Sequence, residues 1–387
     1  MKLFVLLSRI PYPLEKGDKL RAFHQIKRLS LTHEIVLCCL NDATVEQSSV
    51  DELNKYCSSI HIINLPKYGI IYQVLKAVFS TKPIQVGYFY SRYAQLKINA
   101  LLYKHNPDKV FCQLIRTSEY LKHYTKANKT LDYMDVLSKG MERRIEKENV
   151  FLRPVFKLEY LRLKRYERKI FDYFEQKVII SQQDKDLINH PFKERINIVA
   201  NGVDTQYFKK IDTTKSIDLL FTGNMSYPPN VDSAVFLVEK IMPLLQTKYP
   251  NITLTIAGHN PAPSVKRLAS ANVTITGWVE DLRLCYASSR IFIAPMNIGT
   301  GLQNKLLEAM SMHIPCITSS LANNALMATH NESILIGNSP KEYAQHIFSL
   351  LENPELANRI ATTGNAFVIK NFDWDNNCKQ LERIICT

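Results

Sequence analysis

Short apolar runs alternate along the chain with longer segments in which apolar residues recur at every third or fourth position. The runs predict buried strands, and the longer segments predict amphipathic helices. The predicted strands of the first half are 2–7, 34–40, 59–65, 109–113, 128–132 and 177–181. Those of the second half are 217–221, 252–257, 273–276, 291–294 and 315–318. Because strands that alternate with helices form parallel sheets covered on both faces, the predicted fold class is α/β.

The predicted strands fall into two successive groups, which indicates two doubly wound, Rossmann-like domains that face a central cleft. With 387 residues, of which 46% are hydrophobic, the chain is long enough for two buried cores. The junction is predicted near 196–214, where an Asn-Gly-Val-Asp turn at 201–204 precedes a polar stretch. We therefore expect an N-terminal domain over 1–197 and a C-terminal domain over 198–365.

Composition and charge narrow the function classes. The eight cysteines include no C-x-x-C pair and no cluster with histidines, a usage typical of buried thiols in a reducing compartment. The apolar run at 1–7 is too short for a signal peptide, and no run reaches the roughly 18 apolar residues of a transmembrane helix. We expect a soluble, cytoplasmic protein. Its net charge of +13 favours an anionic partner, which could be nucleic acid, a membrane surface or a phosphate-bearing substrate.

The segment 291–310 predicts a buried strand, then a glycine loop, then an amphipathic helix. Gly299 and Gly301 would let backbone N–H groups approach an anion, and the helix adds free N–H groups and the positive end of its dipole. Lys305 and Glu308 share one helix face, so Lys305 could neutralise phosphate while Glu308 accepts hydrogen bonds from the paired hydroxyls of a ribose. The alternative is an ordinary turn followed by a solvated ion pair.

The segment 299–310 resembles the C-terminal donor motif of glycosyltransferase family 4, whose members have the two-domain GT-B fold. Three further segments resemble family elements, namely the interdomain turn, the first C-domain strand with its phosphate loop, and the loop beside the nucleotide base: 201–208, 221–225 and 276–281. The segments 223–232, 260–263 and 302–305 are most similar to a subgroup of sugar transferases associated with exopolysaccharide loci.

The resemblance implies a set of donor-binding residues. They are Gly17, Arg21, Gly223, Asn224, Trp278, Val279, Gly299, Thr300, Gly301, Leu302, Lys305 and Glu308. Many family members carry a glutamate where this chain has Thr300, and an arginine and a lysine where its first-strand loop offers Asn224 and Asn230. Lys305 and backbone N–H groups would then carry more of the phosphate neutralisation. Lys305 and Glu308 are also the implied catalytic residues.

A third catalytic candidate is Asp135, which follows the predicted strand 128–132. A carboxylate there would face the cleft and could bind sugar hydroxyls, or it could cap the next helix. The two interpretations have equal weight.

The resemblance implies a retaining glycosyltransferase that moves a sugar from a nucleotide-sugar donor to a glycan or a lipid-linked glycan. The N-terminal domain would bind the acceptor and the C-terminal domain the donor, while a helix at 366–387 crosses back to the first domain. No metal or other cofactor is expected, because no D-x-D motif adjoins the donor elements. The alternatives are a nucleotide-sugar-binding scaffold with weakened catalysis and a basic nucleic-acid-binding protein.

The segment 139–169 is strongly basic, with eleven Lys or Arg and five Glu. Apolar residues interleave with these charges, as in a helix that lies on an anionic membrane. The alternative is a solvated helix whose apolar stripe packs on its own domain. A peripheral position at the inner face of the membrane would suit a lipid-linked acceptor, whereas a nucleic-acid partner is not expected because no known binding module accompanies the charge.

Overall fold

The chain folds into two parallel sheets, each in its own structural unit. The computed structural model describes residues 1–14, 16–147, 150, 152–298 and 301–387. Unit 1 comprises Met1–Asn201 and Asp375–Thr387, and unit 2 comprises Gly202–Trp374. The chain therefore leaves unit 1 after Asn201, which lies within the predicted junction 196–214 and four residues beyond the expected domain end at 197, and it returns to unit 1 after Trp374.

The sheet of unit 1 has seven described strands in the order β3-β2-β1-β4-β5-β6-β7, and every pair is parallel. The strands are β1 Lys2–Leu7, β2 Glu34–Asn41, β3 Ser59–Asn64, β4 Lys109–Gln113, β5 Asn128–Asp132, β6 Gln176–Ile179 and β7 Asn197–Ile198. The helices are α1 Gly17–Leu29, α2 Gln47–Asn54, α3 Lys67–Val78, α4 Ile84–Phe89, α5 Arg92–His105, α6 Ile115–Ser118, α7 Leu137–Lys147, α8 Arg153–Ile170 and α9 Gln182–Leu187. The last helix of the chain, named α18 in chain order, spans Trp374–Cys386 and packs in this unit.

Both faces of this sheet are covered, which explains why its strands are apolar throughout. In β1, Phe4 and Leu6 belong to a core shared with helices α4, α5, α6 and α8. Leu3, Val5 and Leu7 belong to a second core, which includes residues of α1, α2 and α18. The alternation follows from the two-residue period of a strand.

The sheet of unit 2 has six described strands in the order β10-β9-β8-β11-β12-β13, again all parallel. They are β8 Ile217–Thr222, β9 Leu254–Ala257, β10 Val273–Gly277, β11 Ser289–Ala294, β12 Cys316–Thr318 and β13 Leu335–Ile336. The helices are α10 Pro228–Phe236, α11 Met242–Gln246, α12 Pro263–Lys266, α13 Leu282–Ser288, α14 Asn304–Ser311, α15 Ser320–Leu326, α16 Pro340–Glu352 and α17 Pro354–Phe372. A π-helical turn, Leu237–Ile241, joins α10 to α11.

The predicted α/β class with two doubly wound sheets is confirmed. In each unit the first strand lies inside the sheet, the next two strands extend to one side and the later strands to the other. The order therefore reverses between β1 and β4 in unit 1 and between β8 and β11 in unit 2, which is where open α/β sheets bind ligands. No helix in the described part of the chain has both the length and the apolar composition to cross a membrane.

Candidate functional site

The candidate site of unit 2 starts from two glycine loops that follow β8 and β9. Gly223 has φ +151°, and a Cβ there would lie 2.6 Å from Asn230 Nδ2 and 3.0 Å from Lys305 Nζ. Gly258 has φ +144°, and its Cβ would lie 1.8 Å from the carbonyl oxygen of Gly223. Both positions need glycine because the backbone conformation and the close approach exclude a side chain. The loops bring the backbone after β8 directly against Lys305.

Lys305 lies in the first turn of α14, one residue after the helix begins. Its Nζ donates to Asn230 Oδ1 at 2.6 Å and lies 4.4 Å from the ring centroid of Phe221. Burial lowers the pKa of Lys305 to about 7, while the nearby carboxylate of Glu308 acts in the opposite direction. Asn230 is its one hydrogen-bond partner among the described residues, so two ammonium protons remain for a ligand.

Glu308 lies one turn further along α14. Its Oε2 accepts from the hydroxyl of Tyr286 at 2.8 Å, and that hydroxyl also lies 2.8 Å from Thr222 Oγ1. Burial raises the pKa of Glu308, although the bond from Tyr286 and the charge of Lys305 oppose the shift. Within the described ranges Oε1 accepts no hydrogen bond, so this oxygen can receive a ligand hydroxyl.

The loop after β8 is held by its own side chains. Asn224 Oδ1 accepts from the backbone N–H and the hydroxyl of Ser226, at 3.0 and 2.8 Å. Asn230 is buried, and its Nδ2 donates to the carbonyl of Asn224 at 2.9 Å, while its Oδ1 accepts from Lys305 Nζ. Asn230 therefore positions Lys305 against the loop, and Asn224 shapes the turn through its side-chain oxygen.

The glycine loop after β11 is described on both sides of a gap. Gly299 and Thr300 lie outside the described residues. Before them, the carbonyl of Met296 accepts from Ser319 Oγ at 2.7 Å. After them, Gly301 is exposed, its carbonyl accepts from Gln303 Nε2 at 2.9 Å, and Leu302 is half-buried. The N-cap residue of α14, Gln303, makes no side-chain capping bond to the described start of the helix, although its carbonyl accepts from the N–H of Leu306 at 3.0 Å.

Trp278 and Val279 follow β10 on the same edge of the sheet. The indole of Trp278 is 71% exposed, and Val279 is half-buried. Next along the chain, Asp281 caps α13 by accepting from the N–H of Arg283 at 3.0 Å. The guanidinium of Arg283 is ion-paired with Asp281 and lies 3.9 Å from the ring centroid of Tyr207. An exposed indole on a loop held in this way could stack on a flat nucleotide base.

Three of the predicted residues lie in unit 1. Gly17 begins α1, with open space around the position of a Cβ. Arg21 is fully buried: its Nε donates to Asp132 Oδ2 at 2.6 Å and its Nη1 to Asn201 Oδ1 at 2.9 Å. The guanidinium is thus bound to Asp132 and Asn201, and the contact of Arg21 with the donor phosphates stays a prediction.

Asp135 is exposed after β5, and its N–H donates to the carbonyl of Tyr133 at 2.9 Å. Desolvation by the surrounding protein, with a further contribution from the carboxylate of Asp184, raises the pKa of Asp135 to about 6. It does not cap α7, because that helix begins at Leu137 and the first-turn N–H of Ser138 donates instead to Glu167 Oε1 at 2.9 Å. Binding of sugar hydroxyls by the Asp135 carboxylate stays a prediction.

The structure thus brings Gly223, Lys305 and Glu308 together and adds residues that the sequence analysis missed. Gly258 was missed because a lone glycine after a strand has no distinctive signal. Tyr286 was missed because an aromatic residue in an amphipathic helix indicates a core position. Among the described residues, no three His, Cys, Asp or Glu side chains are grouped as metal ligands.

Comparison with known proteins indicates the protein family that unit 2 resembles. Residues 216–353 match the family model described as glycosyl transferases group 1. Unit 2 carries a glycosyl transferases group 1 domain. The whole chain is 24% identical to an uncharacterized 44.6 kDa protein in the cps region of Klebsiella pneumoniae, over 96% of both proteins. It is 25% identical to an uncharacterized glycosyltransferase of Methanocaldococcus jannaschii, over 59% of this chain and 62% of that one.

Solved structures agree with this chain in fold. HepE of Anabaena in complex with UDP superposes with a TM-score of 0.70 and 13% identity, over 100% of both chains. Sucrose-phosphate synthase from Thermosynechococcus elongatus superposes with a TM-score of 0.70 and 13% identity, over 99% of this chain and 98% of that one. The fold is therefore that of GT-B glycosyltransferases. The narrower resemblance to family 4 and its exopolysaccharide subgroup stays a prediction, as do the individual site residues.

Proposed function

We propose that the protein is a retaining glycosyltransferase of family 4, a hexosyltransferase that uses a nucleotide-sugar donor. Its acceptor would be a glycan or a lipid-linked glycan in the synthesis of cell-surface polysaccharide, at the cytoplasmic face of the membrane. The group 1 domain over 216–353 supports the transferase class, and the relative from a cps region supports the setting. Structures of HepE with UDP and with UDP-glucose make uridine nucleotides the first donors to test.

The observation that carries this proposal is the pairing of Lys305 with Glu308 at the strand reversal of unit 2. Lys305 offers two protons beside the Gly223 loop and the start of α14, an arrangement that suits a diphosphate. One turn later, Glu308 offers an oxygen that suits a ribose hydroxyl. Trp278, on the loop after β10, would stack on the base.

The proposed chemistry needs no protein nucleophile. The acceptor hydroxyl forms its bond to the anomeric carbon on the face from which the diphosphate leaves, and its proton passes to the departing phosphate. The bond to the leaving oxygen breaks with the electron pair, so negative charge develops on the diphosphate. Protonated Lys305, backbone N–H groups of the glycine loops and the α14 dipole would stabilise that charge, and we propose that no metal takes part. Asp135 would bind sugar hydroxyls from unit 1.

A nucleotide-binding experiment tests the site. Calorimetry with UDP, GDP, ADP and their sugar derivatives should show one class bound by the wild type. Lys305→Gln and Glu308→Gln are each expected to bind it about tenfold more weakly or worse, since each removes a charge-assisted contact. Lys266→Gln, which changes an exposed lysine on α12 of the same unit, should bind like the wild type.

Turnover separates an enzyme from a scaffold. Incubation with the bound nucleotide sugar and extracted glycolipid should release nucleoside diphosphate from the wild type and from Lys266→Gln. Binding of the nucleotide sugar without release of nucleoside diphosphate in the presence of the extracted glycolipid would support the scaffold with weakened catalysis. The absence of binding to any nucleotide would overturn the proposal.

A further inference from the structure

Helix α3 presents its apolar side to solvent. Six large apolar residues lie along the helix and its C-cap and are between 40% and 89% exposed: Tyr68, Ile71, Tyr72, Leu75, Val78 and Phe79. We call them the α3 face. The opposite side is anchored by Ala77, the only buried residue of α3. Ala77 packs so closely on α4 that a Cβ at Gly87 would lie 2.6 Å from its methyl group.

Helix α8 extends this surface. The guanidinium of Arg162 donates to the carbonyls of Ala77 and Val78 at 3.1 and 2.9 Å, which fixes α8 beside the end of α3. Three apolar residues of the same helix are 40–50% exposed: Val155, Leu158 and Leu161. Because residues three or four apart share a helix face, Leu158 adjoins the point where Arg162 meets α3, and Leu161 lies beside Leu158.

The charges that surround these apolar residues are positive. Helix α8 carries seven Lys or Arg and two Glu. Both acids, Glu159 and Glu167, are buried and accept hydrogen bonds from backbone N–H groups of other segments. Residues 53–107, which include all of α3, carry seven Lys or Arg and no Asp or Glu. A partner would therefore meet exposed apolar side chains within a field of cations.

We propose that the α3 face and the exposed apolar residues of α8 dock on an anionic lipid bilayer. Apolar and tyrosine side chains would enter the boundary between headgroups and acyl chains, while the lysines and arginines meet anionic headgroups. Nucleic acid fits this surface less well, because phosphates and bases would leave the aliphatic residues without an apolar environment. The inference does not depend on the proposed transferase activity, and its test measures binding to lipid alone.

Vesicle co-sedimentation tests the docking. The wild type should bind vesicles of phosphatidylcholine with phosphatidylglycerol and should bind pure phosphatidylcholine far more weakly. The triple variant Ile71→Ser, Leu75→Ser, Phe79→Ser is expected to lose affinity by about tenfold or more. The matched control is Leu31→Ser, Phe192→Ser, Ile369→Ser, which changes residues that are 75%, 52% and 46% exposed elsewhere. It should bind like the wild type, and thermal unfolding should confirm that both triple variants are folded.

Insertion is tested separately with the single variant Phe79→Trp. Acyl chains that carry bromine should quench its fluorescence beyond the quenching seen for the wild type, whose tryptophans lie in unit 2. Equal binding by the two triple variants would overturn the proposal. The proposal would also be overturned if high salt abolished the binding to vesicles and the introduced indole stayed unquenched, because charge alone would then explain the binding. Self-association or capture of nucleic acid without vesicle binding would assign the surface to that other partner.

Discussion

Burial disfavours the charge of the Lys305 ammonium and brings its pKa to about 7. The ring of Phe221 and the amide oxygen of Asn230 contact the ammonium and favour its charged form, but burial has the larger effect. An anion bound beside it would favour the charged form and raise that pKa again. Binding of a diphosphate and protonation of Lys305 are therefore linked.

We predict that nucleotide affinity decreases as the pH rises from 7.5 to 9. Above a pH of about 7 the free protein carries neutral Lys305, so binding of the nucleotide must take up a proton. Each further pH unit therefore raises the dissociation constant by at most about tenfold. Calorimetry in two buffers of different ionisation enthalpy should show that uptake. Lys305→Gln should bind weakly with a flat profile, whereas Lys266→Gln should keep the wild-type slope. A flat wild-type profile would contradict the prediction.

At the residue scale, the sequence predicts chemistry that is local and misses chemistry that depends on distant contacts. Lys305 and Glu308 could be paired because their spacing on a helix is visible in the chain. The role of Gly258 depends on the carbonyl of Gly223 in another loop, 1.8 Å from where a Cβ would lie. Arg21 is likewise bound to Asp132, which is 111 residues away, so its burial could not be inferred from the loop around it.

At the element scale, α8 organises the helices around it through its two buried acids. Glu159 accepts from the N–H groups of Ile84 and Gln85 at the start of α4, at 2.7 and 3.0 Å. Glu167 accepts from the N–H and the hydroxyl of Ser138 at the start of α7. A carboxylate at a helix start bonds free N–H groups and complements the dipole. The acids thus face inward and leave the cations of α8 facing outward.

We predict that Glu159→Ala lowers the free energy of unfolding by about 2 to 3 kcal/mol, because two buried N–H groups lose a charged acceptor. Glu159→Gln keeps one oxygen and should cost about half as much. Urea titration measures both changes. Glu355→Ala removes an exposed carboxylate in the first turn of α17 and serves as control, with an expected loss under about 1 kcal/mol. A Glu159→Ala loss no larger than the control would contradict the capping role.

The elements that the sequence predicted least well are those decided by packing. All eleven predicted strands are present. The strands β7 and β13 were not predicted, because each has two residues, too few to show an alternation of apolar and polar positions. The periodicity of α3 predicts a helix without showing which side packs, and the small side chain of Ala77 takes the buried position through its fit to Gly87. For 139–169, the charges were visible, but the burial of Glu159 and Glu167 was not.

At the scale of the whole molecule, the two ends of unit 2 adjoin each other. The N–H of Val203 donates to the carbonyl of Phe372 at 2.8 Å. A Cβ at Gly202 would lie 2.8 Å from that carbonyl and from the Trp374 ring, so the glycine of the predicted interdomain turn is required by packing. Unit 2 is thus inserted into unit 1 at one place, and unit 1 depends on α18 for completion.

We predict that loss of buried side chains from α18 destabilises unit 1. Leu381 and Ile385 of α18 are fully buried in the core that contains Leu3, Val5 and residues of α1. Leu381→Ala and Ile385→Ala should each destabilise unit 1 by about 2 to 5 kcal/mol, through lost burial and the cavity that remains. Hydrogen exchange should show amides of β1 and α1 losing protection while those of α14 keep theirs, with half-exposed Ile369→Ala as the control. Equal loss in both units would show that they unfold together, which would contradict the assignment of α18 to unit 1 alone.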